Sequence, residues 1–157
     1  MITLNNILLP TDFSEPSLAA TRYALELARR FSSRLHLLHV IEDPSIVLPL
    51  AESYPFASRE DFEKLAQTEL ENWILPDDRA GVDLVYRWRH GTPFAEIVRD
   101  AREHDVDLIV LGTHGRGMLA QLLMGSTAEK VVRKAECPVL TVRPEGHQFV
   151  HPIEAVP

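Results

Sequence analysis

The sequence has a single cysteine and no long apolar run, and both absences restrict where the protein can act. One cysteine, Cys137, permits no internal disulfide, and a reduced cytoplasmic setting is the simplest interpretation. No apolar stretch approaches the roughly 20 residues that a membrane-spanning helix needs, and the N-terminal segment shows no leader pattern. We therefore expect a cytoplasmic protein with no membrane partner.

The chain also lacks an excess of positive charge. It carries 16 lysine and arginine residues against 23 aspartate and glutamate residues, which gives a formal net charge of −7 at pH 7. Affinity for nucleic acid comes largely from lysine and arginine that neutralise phosphates, so nucleic acid is not expected as a partner. Any phosphate that the protein binds must be held by a local site.

What the sequence does contain is a regular alternation of strand and helix patterns. Short apolar runs predict buried strands, and a run that alternates apolar with polar residues predicts a half-exposed edge strand at 82–91. The predicted strands cover residues 6–10, 35–41, 82–91, 107–112 and 138–142. The predicted helices begin at Ser14, at Ser58, at Thr92 with Pro93, and at Gly125 with Ser126. Their helical spacing counts Phe31, Leu65 and Val132 among the inward-facing positions.

This alternation predicts a single α/β domain over residues 1–144, with a long loop at 42–58 and a tail at 145–157. An edge position for the third strand fits the order 3-2-1-4-5, an open doubly wound parallel sheet with helices on both faces. In such a sheet, ligands bind outside the carboxyl ends of strands 1 and 4, where the crossovers change direction. The segments at these two ends are "PTDFS" (10–14) and "GTHGRG" (112–117).

Glycines are dense after the fourth strand, in "LIVLGTHGRGMLAQLLMGST" (108–127). Glycine tolerates positive φ and lets peptide N–H groups turn toward an anion. Gly125, Ser126 and Thr127 then open a helix whose N-terminus favours phosphate. No lysine precedes Ser126, as a P-loop requires, and no G-x-G-x-x-G follows strand 1, as a dinucleotide-binding fold requires. The pattern therefore predicts a phosphate-bearing ligand.

The same residues resemble the universal stress proteins, in the branch that binds ATP. The signature of that branch is G-x2-G-x9-G-[ST], and this spacing is met by Gly112, Gly115, Gly125 and Ser126. The resemblance extends to "ILLPTDFS" (7–14), "LHV" (38–40) and "ECPVLTVRP" (136–144). It implies a regulatory protein of stress adaptation that binds ATP, forms a homodimer through strand 5 and acts on a protein partner that the sequence does not identify.

The resemblance also assigns parts of the nucleotide to residues. It places the adenine near the backbone of Val40 and the ribose near Asp12, which follows Pro10 and Thr11 at the end of strand 1. The triphosphate is expected on the backbone amides of Gly112, Gly115, Gly125 and Ser126. The hydroxyls of Ser126 and Thr127 are expected within reach of the phosphates, with Arg116 as a secondary contact.

Several of these residues also have a purely structural interpretation. Ser126 and Glu129 have the spacing of a capping box, which is compatible with a second role for the hydroxyl. Asp12 lies at the turn between the first strand and the first helix and can serve as a turn residue. Lys130 is expected to complement the helix dipole near the end of its helix.

No metal site and no catalytic residue are predicted. His36 and His39 are three residues apart in one strand, so they point to opposite faces and cannot hold one ion together. Cys137 is expected to be a small buried apolar residue. Phosphoryl transfer usually needs carboxylates for Mg²⁺, and only Asp12 is available, so Mg²⁺ is expected to arrive with the nucleotide. The alternative function is a slow ATPase, or a phosphoryl- or adenylyl-transfer enzyme, in the same pocket.

Overall fold

A computed structural model describes residues 1–42, 58–113, 124–144 and 149–150 of the chain. The strands are β1 (Asn6–Pro10), β2 (Arg34–Ile41), β3 (Asp83–His90), β4 (Leu108–Gly112) and β5 (Val139–Val142). The helices are α1 (Glu15–Phe31), α2 (Arg59–Trp73), α3 (Pro93–Glu103) and α4 (Ser126–Lys134), with a short 3-10 turn at Asp77–Arg79. No helix within these ranges combines the length and the apolar character needed to cross a lipid bilayer.

The five strands form one parallel sheet in the order β3-β2-β1-β4-β5, which confirms the predicted fold class. β2 and β3 pair over their whole length, from Arg34 with Asp83 to Ile41 with His90. β3 lies at one edge of the sheet, as its alternating sequence predicts, and β5 lies at the other. The carboxyl ends of β1 and β4 are therefore neighbours at the point where the crossovers change direction.

Helices cover both faces of the sheet, and alternate residues of the central strands pack on each face. Ile7 and Leu9 of β1 lie in a core cluster with residues of α1 and α2, whereas Leu8 lies in a cluster with residues of α3 and α4. All three of these side chains are fully buried. Because both faces of β1 are covered, the strand needs consecutive apolar residues rather than alternate ones.

Three positions that the helical spacing placed inward are instead exposed, namely Phe31, Leu65 and Val132. The buried residues of α2 are Ala66 and Leu70, and Leu65 lies one residue, or about 100° around the helix, from Ala66. Val132 is displaced by the same angle from its buried neighbour in α4. Phe31 is the last residue of α1. The buried stripe of each helix is thus narrower than the apolar stripe of its sequence.

Most of the predicted tail and most of the predicted loop at 42–58 lie outside the described residues. Phe149 is described, and its ring meets the ring of Tyr23 in α1 edge-on, with centroids 4.8 Å apart. Val150 packs against the core cluster that contains Tyr23. This part of the tail therefore contacts the domain.

α3 meets β3 through a cluster of charged side chains. Arg89 of β3 contacts Glu96, Asp100 and Glu103, at N–O distances of 2.8, 3.1 and 2.8 Å, and these carboxylates share one face of α3. The Asp100 side chain is fully buried, and that of Arg89 is 18% exposed. Hydrogen bonds from Arg89 and then Arg99 lower the pKa of Glu103 to about 2. Arg89 is therefore the counter-charge that lets these acidic side chains pack against the sheet.

Candidate functional site

A cleft of about 440 Å³ lies at the carboxyl end of the sheet. Its walls come from the ends of β1, β2 and β4 and from the first turns of α3 and α4. The predicted site residues that line it are Pro10, Thr11, Asp12, Val40, Gly112, Gly125, Ser126 and Thr127. The remaining two, Gly115 and Arg116, lie outside the described residues. The fold thus gathers residues from both halves of the chain at the switch point of the sheet.

Asp12 holds the turn between β1 and α1. Its Oδ1 accepts hydrogen bonds from the Ser14 backbone N–H (3.1 Å), from the Ser17 hydroxyl (2.7 Å) and from the Ser14 hydroxyl. Phe13 has a left-handed φ of 62°, a conformation that non-glycine residues seldom adopt outside tight turns. Asp12 therefore has the turn role that the sequence left open, and it also lines the cleft.

The backbone of Val40 faces the cleft because β2 runs past the end of β1. The Leu38 carbonyl accepts a 2.8 Å hydrogen bond from the Thr11 N–H, so the backbone polar groups of Leu38 point toward β1. The backbone N–H and C=O groups of successive residues point to opposite sides of a strand. Those of Val40, two residues after Leu38, therefore point the same way as those of Leu38. β1 ends at Pro10, opposite Leu38, and the Val40 groups face the space beyond that end. The cleft wall therefore presents one donor and one acceptor on the same strand edge.

Gly112 has a structural reason to be glycine that the sequence pattern did not reveal. A Cβ built at this position would lie 2.6 Å from the carbonyl oxygen of Pro16, closer than any side chain can approach. The first turn of α1 therefore packs directly against the end of β4. This close approach explains why Ser17 and Asp12 share the lining of the cleft with Gly112.

α4 begins one residue earlier than the predicted capping box requires. The Gly125 carbonyl accepts a helical hydrogen bond from the Glu129 N–H at 2.9 Å, so Gly125 is the N-cap and Ser126 is the first helical residue. The alternative interpretation of Ser126 as the capping residue is therefore wrong. Gly125 takes that position because its own N–H donates to the Thr113 carbonyl, which ties the start of α4 to the end of β4. The first-turn N–H groups, which have no acceptor within the helix, belong to residues that line the cleft, such as Ser126 and Thr127.

Ser17, Phe94 and Lys130 are cleft residues that were not predicted. The sequence interpretation assigned Lys130 to the helix dipole, yet it lies four residues after Ser126 and so shares a face of α4 with it. Its Nζ lies 4.9 Å from the centroid of the Phe94 ring at the start of α3. The four-residue spacing from Ser126 could have indicated that Lys130 lies near the cleft. The packing of α3 beside α4, which brings Phe94 to Lys130, could not be predicted from the local sequence.

His36 and His39 lie on opposite faces of β2, as their spacing predicts, because His39 stacks near Phe13 and His36 near His104. The His39 Nδ1 donates to the Thr11 carbonyl at 2.9 Å. Within the described ranges, no group of three histidine, cysteine or acidic side chains is placed to hold a metal ion. Burial raises the pKa of the Cys137 thiol, which makes this side chain a poor nucleophile.

An open α/β sheet with a cleft and a helix N-terminus at its switch point is an architecture found in proteins that bind phosphate-bearing small molecules. A sequence model of the Universal stress protein family matches residues 3–143. The chain belongs to this family.

Similar proteins include two from Methanocaldococcus jannaschii. Universal stress protein MJ0531 is 35% identical over 138 residues, which cover 87% of this chain and 81% of the relative. Universal stress protein MJ0577 is 32% identical over 156 residues, which cover 90% of this chain and 96% of the relative. The solved structure of MJ0577 superposes with a TM-score of 0.74 at 30% identity, covering 93% of this chain and 100% of that one.

A universal stress protein from Archaeoglobus fulgidus, solved in complex with dAMP, shares the fold. Its TM-score is 0.61 at 24% identity, and the superposition covers 90% of this chain and 98% of that one. The structures of MJ0577 and of the A. fulgidus protein share the fold of this chain. The family assignment rests on the sequence match, which covers residues 3–143.

Proposed function

We propose that the protein is an ATP-binding regulatory module of the stress response, with the nucleotide in the cleft at the carboxyl end of the sheet. The observation that carries this proposal is that the N-terminus of α4 and the backbone edge of Val40 line the same cleft. A helix N-terminus favours phosphate, and a strand edge can pair with a base. The cleft volume of about 440 Å³ also falls in the range of small-molecule sites, roughly 300–1,000 Å³.

The proposed orientation follows from the chemistry of the cleft walls. The adenine edge pairs with the N–H and C=O of Val40, the ribose hydroxyls bind near Asp12, and the phosphates lie on the first-turn amides of α4. Gly115 and Arg116 are proposed to add contacts to the phosphates. Mg²⁺ arrives with the nucleotide and keeps several of its waters. The dAMP-bound protein from A. fulgidus shares the fold of this chain, but at 24% identity this likeness does not identify a ligand. The proposal of a nucleotide therefore rests on the cleft of this chain.

We further propose a cytoplasmic homodimer that reports nucleotide occupancy to a protein partner. β5 (Val139–Val142) lies at an edge of the sheet, where one row of its backbone groups faces away from β4. The same strand of a second copy can pair with that row across a two-fold axis. Cys137 is a free thiol, which suits a reduced compartment.

The purified protein should bind Mg-ATP with a Kd below about 1 mM, equivalent to about −4 kcal/mol, and should bind Mg-GTP at least about ten-fold more weakly. Adenine presents a donor next to a ring acceptor, whereas guanine presents an acceptor next to a ring donor. One fixed pair of Val40 groups therefore cannot satisfy both bases. Isothermal titration calorimetry with the two nucleotides measures the difference. Failure of both to bind at millimolar concentration would refute the proposal, and equal affinities would remove Val40 from base recognition.

ATP should be bound with little turnover, well below the roughly 1 s⁻¹ at the lower end of typical enzymes. The backbone amides and hydroxyls of the cleft bind the ground state about as well as the transition state, and such uniform binding does not accelerate chemistry. A steady-state phosphate-release assay measures the rate. Rapid release that is lost in Asp12→Ala, with ATP binding retained, would favour the alternative of an ATPase or a phosphoryl- or adenylyl-transfer enzyme.

A further inference from the structure

Two lysines of α4, Lys130 and Lys134, differ from the arginines of α3 and α4. Each arginine of α3 and α4 pairs with a carboxylate, and these pairs are Arg99 with Glu103, Arg102 with Glu136, and Arg133 with Glu129. Among the described residues, no carboxylate forms a salt bridge with Lys130 or Lys134. Their ammonium groups lie instead 4.9 and 5.8 Å from the centroid of one ring, that of Phe94. Two positive charges thus converge on one aromatic side chain without an anion from the described part of the protein.

Only one of these two lysines lines the cleft. Lys130 belongs to the cleft wall together with Phe94, and it lies four residues after Ser126, on the same face of α4. Lys134 follows one turn later, farther from the N-terminus of the helix, and is not part of the lining. The two positions therefore have the same charge and the same aromatic neighbour, and they differ in access to the cleft.

The charge balance of the cleft shows what Lys130 adds. Among the described lining residues, Asp12 and Glu42 are acidic, and Lys130 is the one lysine or arginine. The amides at the start of α4 can hold one phosphate, but they supply only partial positive charge. A nucleotide with three phosphates brings several negative charges into a cleft whose wall already contains two carboxylates. In addition to the Mg²⁺ that arrives with the nucleotide, a full positive charge beside these amides favours the longer phosphate chain.

We propose that Lys130 determines how the site discriminates among adenine nucleotides by the length of their phosphate chain. The inference rests on the proposed function, and it adds a specificity-determining residue to that site. Without nucleotide, the ammonium rests on the Phe94 ring. With ATP bound, it moves off the ring and pairs with the β- or γ-phosphate, because a charge-assisted hydrogen bond to phosphate is stronger than an exposed cation–π contact. AMP ends before the reach of this side chain and gains little from it.

The test compares Lys130→Gln with Lys134→Gln by calorimetry, using AMP and ATP in the same Mg²⁺ buffer. We expect Lys130→Gln to weaken ATP binding by about ten-fold or more, the usual effect of losing a charged hydrogen bond, and AMP binding by less than about three-fold. Lys134→Gln should change both affinities by less than about three-fold, because an exposed charge outside the cleft is screened by salt. Lys130→Arg should restore the preference for ATP over AMP.

The outcomes separate this inference from the proposed function. Equal losses for AMP and ATP in Lys130→Gln would mean that the side chain only shapes the cleft, and unchanged affinities would mean that it stays on Phe94. Either result overturns the role of Lys130 and leaves nucleotide binding intact. A wild-type protein that binds neither nucleotide would overturn the proposed function itself. Circular dichroism should be unchanged in all three variants, since both lysine side chains are exposed.

Discussion

Replacing Arg89 with methionine should lower the free energy of unfolding by about 3–5 kcal/mol, the usual cost of removing one partner of a buried ion pair. Arg89 is the counter-charge of three carboxylates on α3, and the side chain of one of them, Asp100, is fully buried. Without the guanidinium, the buried Asp100 carboxylate loses the positive charge that lies 3.1 Å from it. Urea denaturation at neutral pH measures the loss.

Arg99→Met is the matched control for Arg89→Met. Arg99 also bonds Glu103, at 2.9 Å, but its side chain is 63% exposed. An exposed pair of this kind on one helix contributes only about 0.3–0.5 kcal/mol, so the control variant should be almost as stable as the wild type. Comparable losses in the two variants would show that burial of the Arg89 cluster contributes nothing beyond a surface ion pair.

The Arg89 cluster should also make stability depend on pH in acid. The pKa of Glu103 is lowered from 4.5 to about 2, chiefly by its hydrogen bond from Arg89. The stabilisation is therefore complete above the unfolded-state value and is lost as the pH falls from 4.5 toward 2. Wild-type stability should decline through this window, and Arg89→Met should show a smaller decline over the same interval. Denaturation series on both sides of pH 4.5 provide the comparison.

Replacing Gly125 with valine should weaken ATP binding by about 100-fold or more, equivalent to about 2.7 kcal/mol. Gly125 is buried at the N-cap of α4, beside the amides proposed to hold the phosphates, so an added side chain takes up the space of the phosphate. Its φ is −70°, not the positive value that a glycine-rich loop led us to expect, so valine introduces no backbone strain there. The fold should therefore survive the substitution. Calorimetry with ATP measures the loss of affinity, and circular dichroism tests whether the fold is retained.

Gly112→Ala is the contrasting variant, because the reason for this glycine is packing against α1. Its Cβ would lie 2.6 Å from the Pro16 carbonyl oxygen, so α1 has to move away from β4. We expect a loss of stability of about 1–3 kcal/mol, as for other overpacked positions.

Gly125→Ala is the second variant for the ATP-binding prediction, and it keeps that prediction testable if valine at position 125 disturbs folding. Full ATP affinity in both Gly125 variants would show that this glycine serves only the turn.

Much of this protein could be predicted from local sequence because its main signals are local. A strand buried on both faces needs consecutive apolar residues, and an exposed edge strand alternates, so β1, β4 and β3 were identifiable without coordinates. Right-handed crossovers then left few sheet orders, and the order placed the switch point at "PTDFS" and "GTHGRG". The spacing of the glycines and the hydroxyl residues after them predicted which end of the sheet carries the cleft. These inferences depend only on residue type and position along the chain.

The tertiary structure alone decided the contacts between residues that are far apart in sequence. Gly112 is glycine because the carbonyl of Pro16 lies against it, and Gly125 replaces Ser126 as the N-cap because its N–H reaches Thr113. Lys130 belongs to the cleft because the packing of α3 beside α4 brings it to Phe94. Such contacts depend on the distance between two packed elements. The periodicity of the sequence does not encode that distance, since it is set by the close packing of side chains between the helices and the sheet.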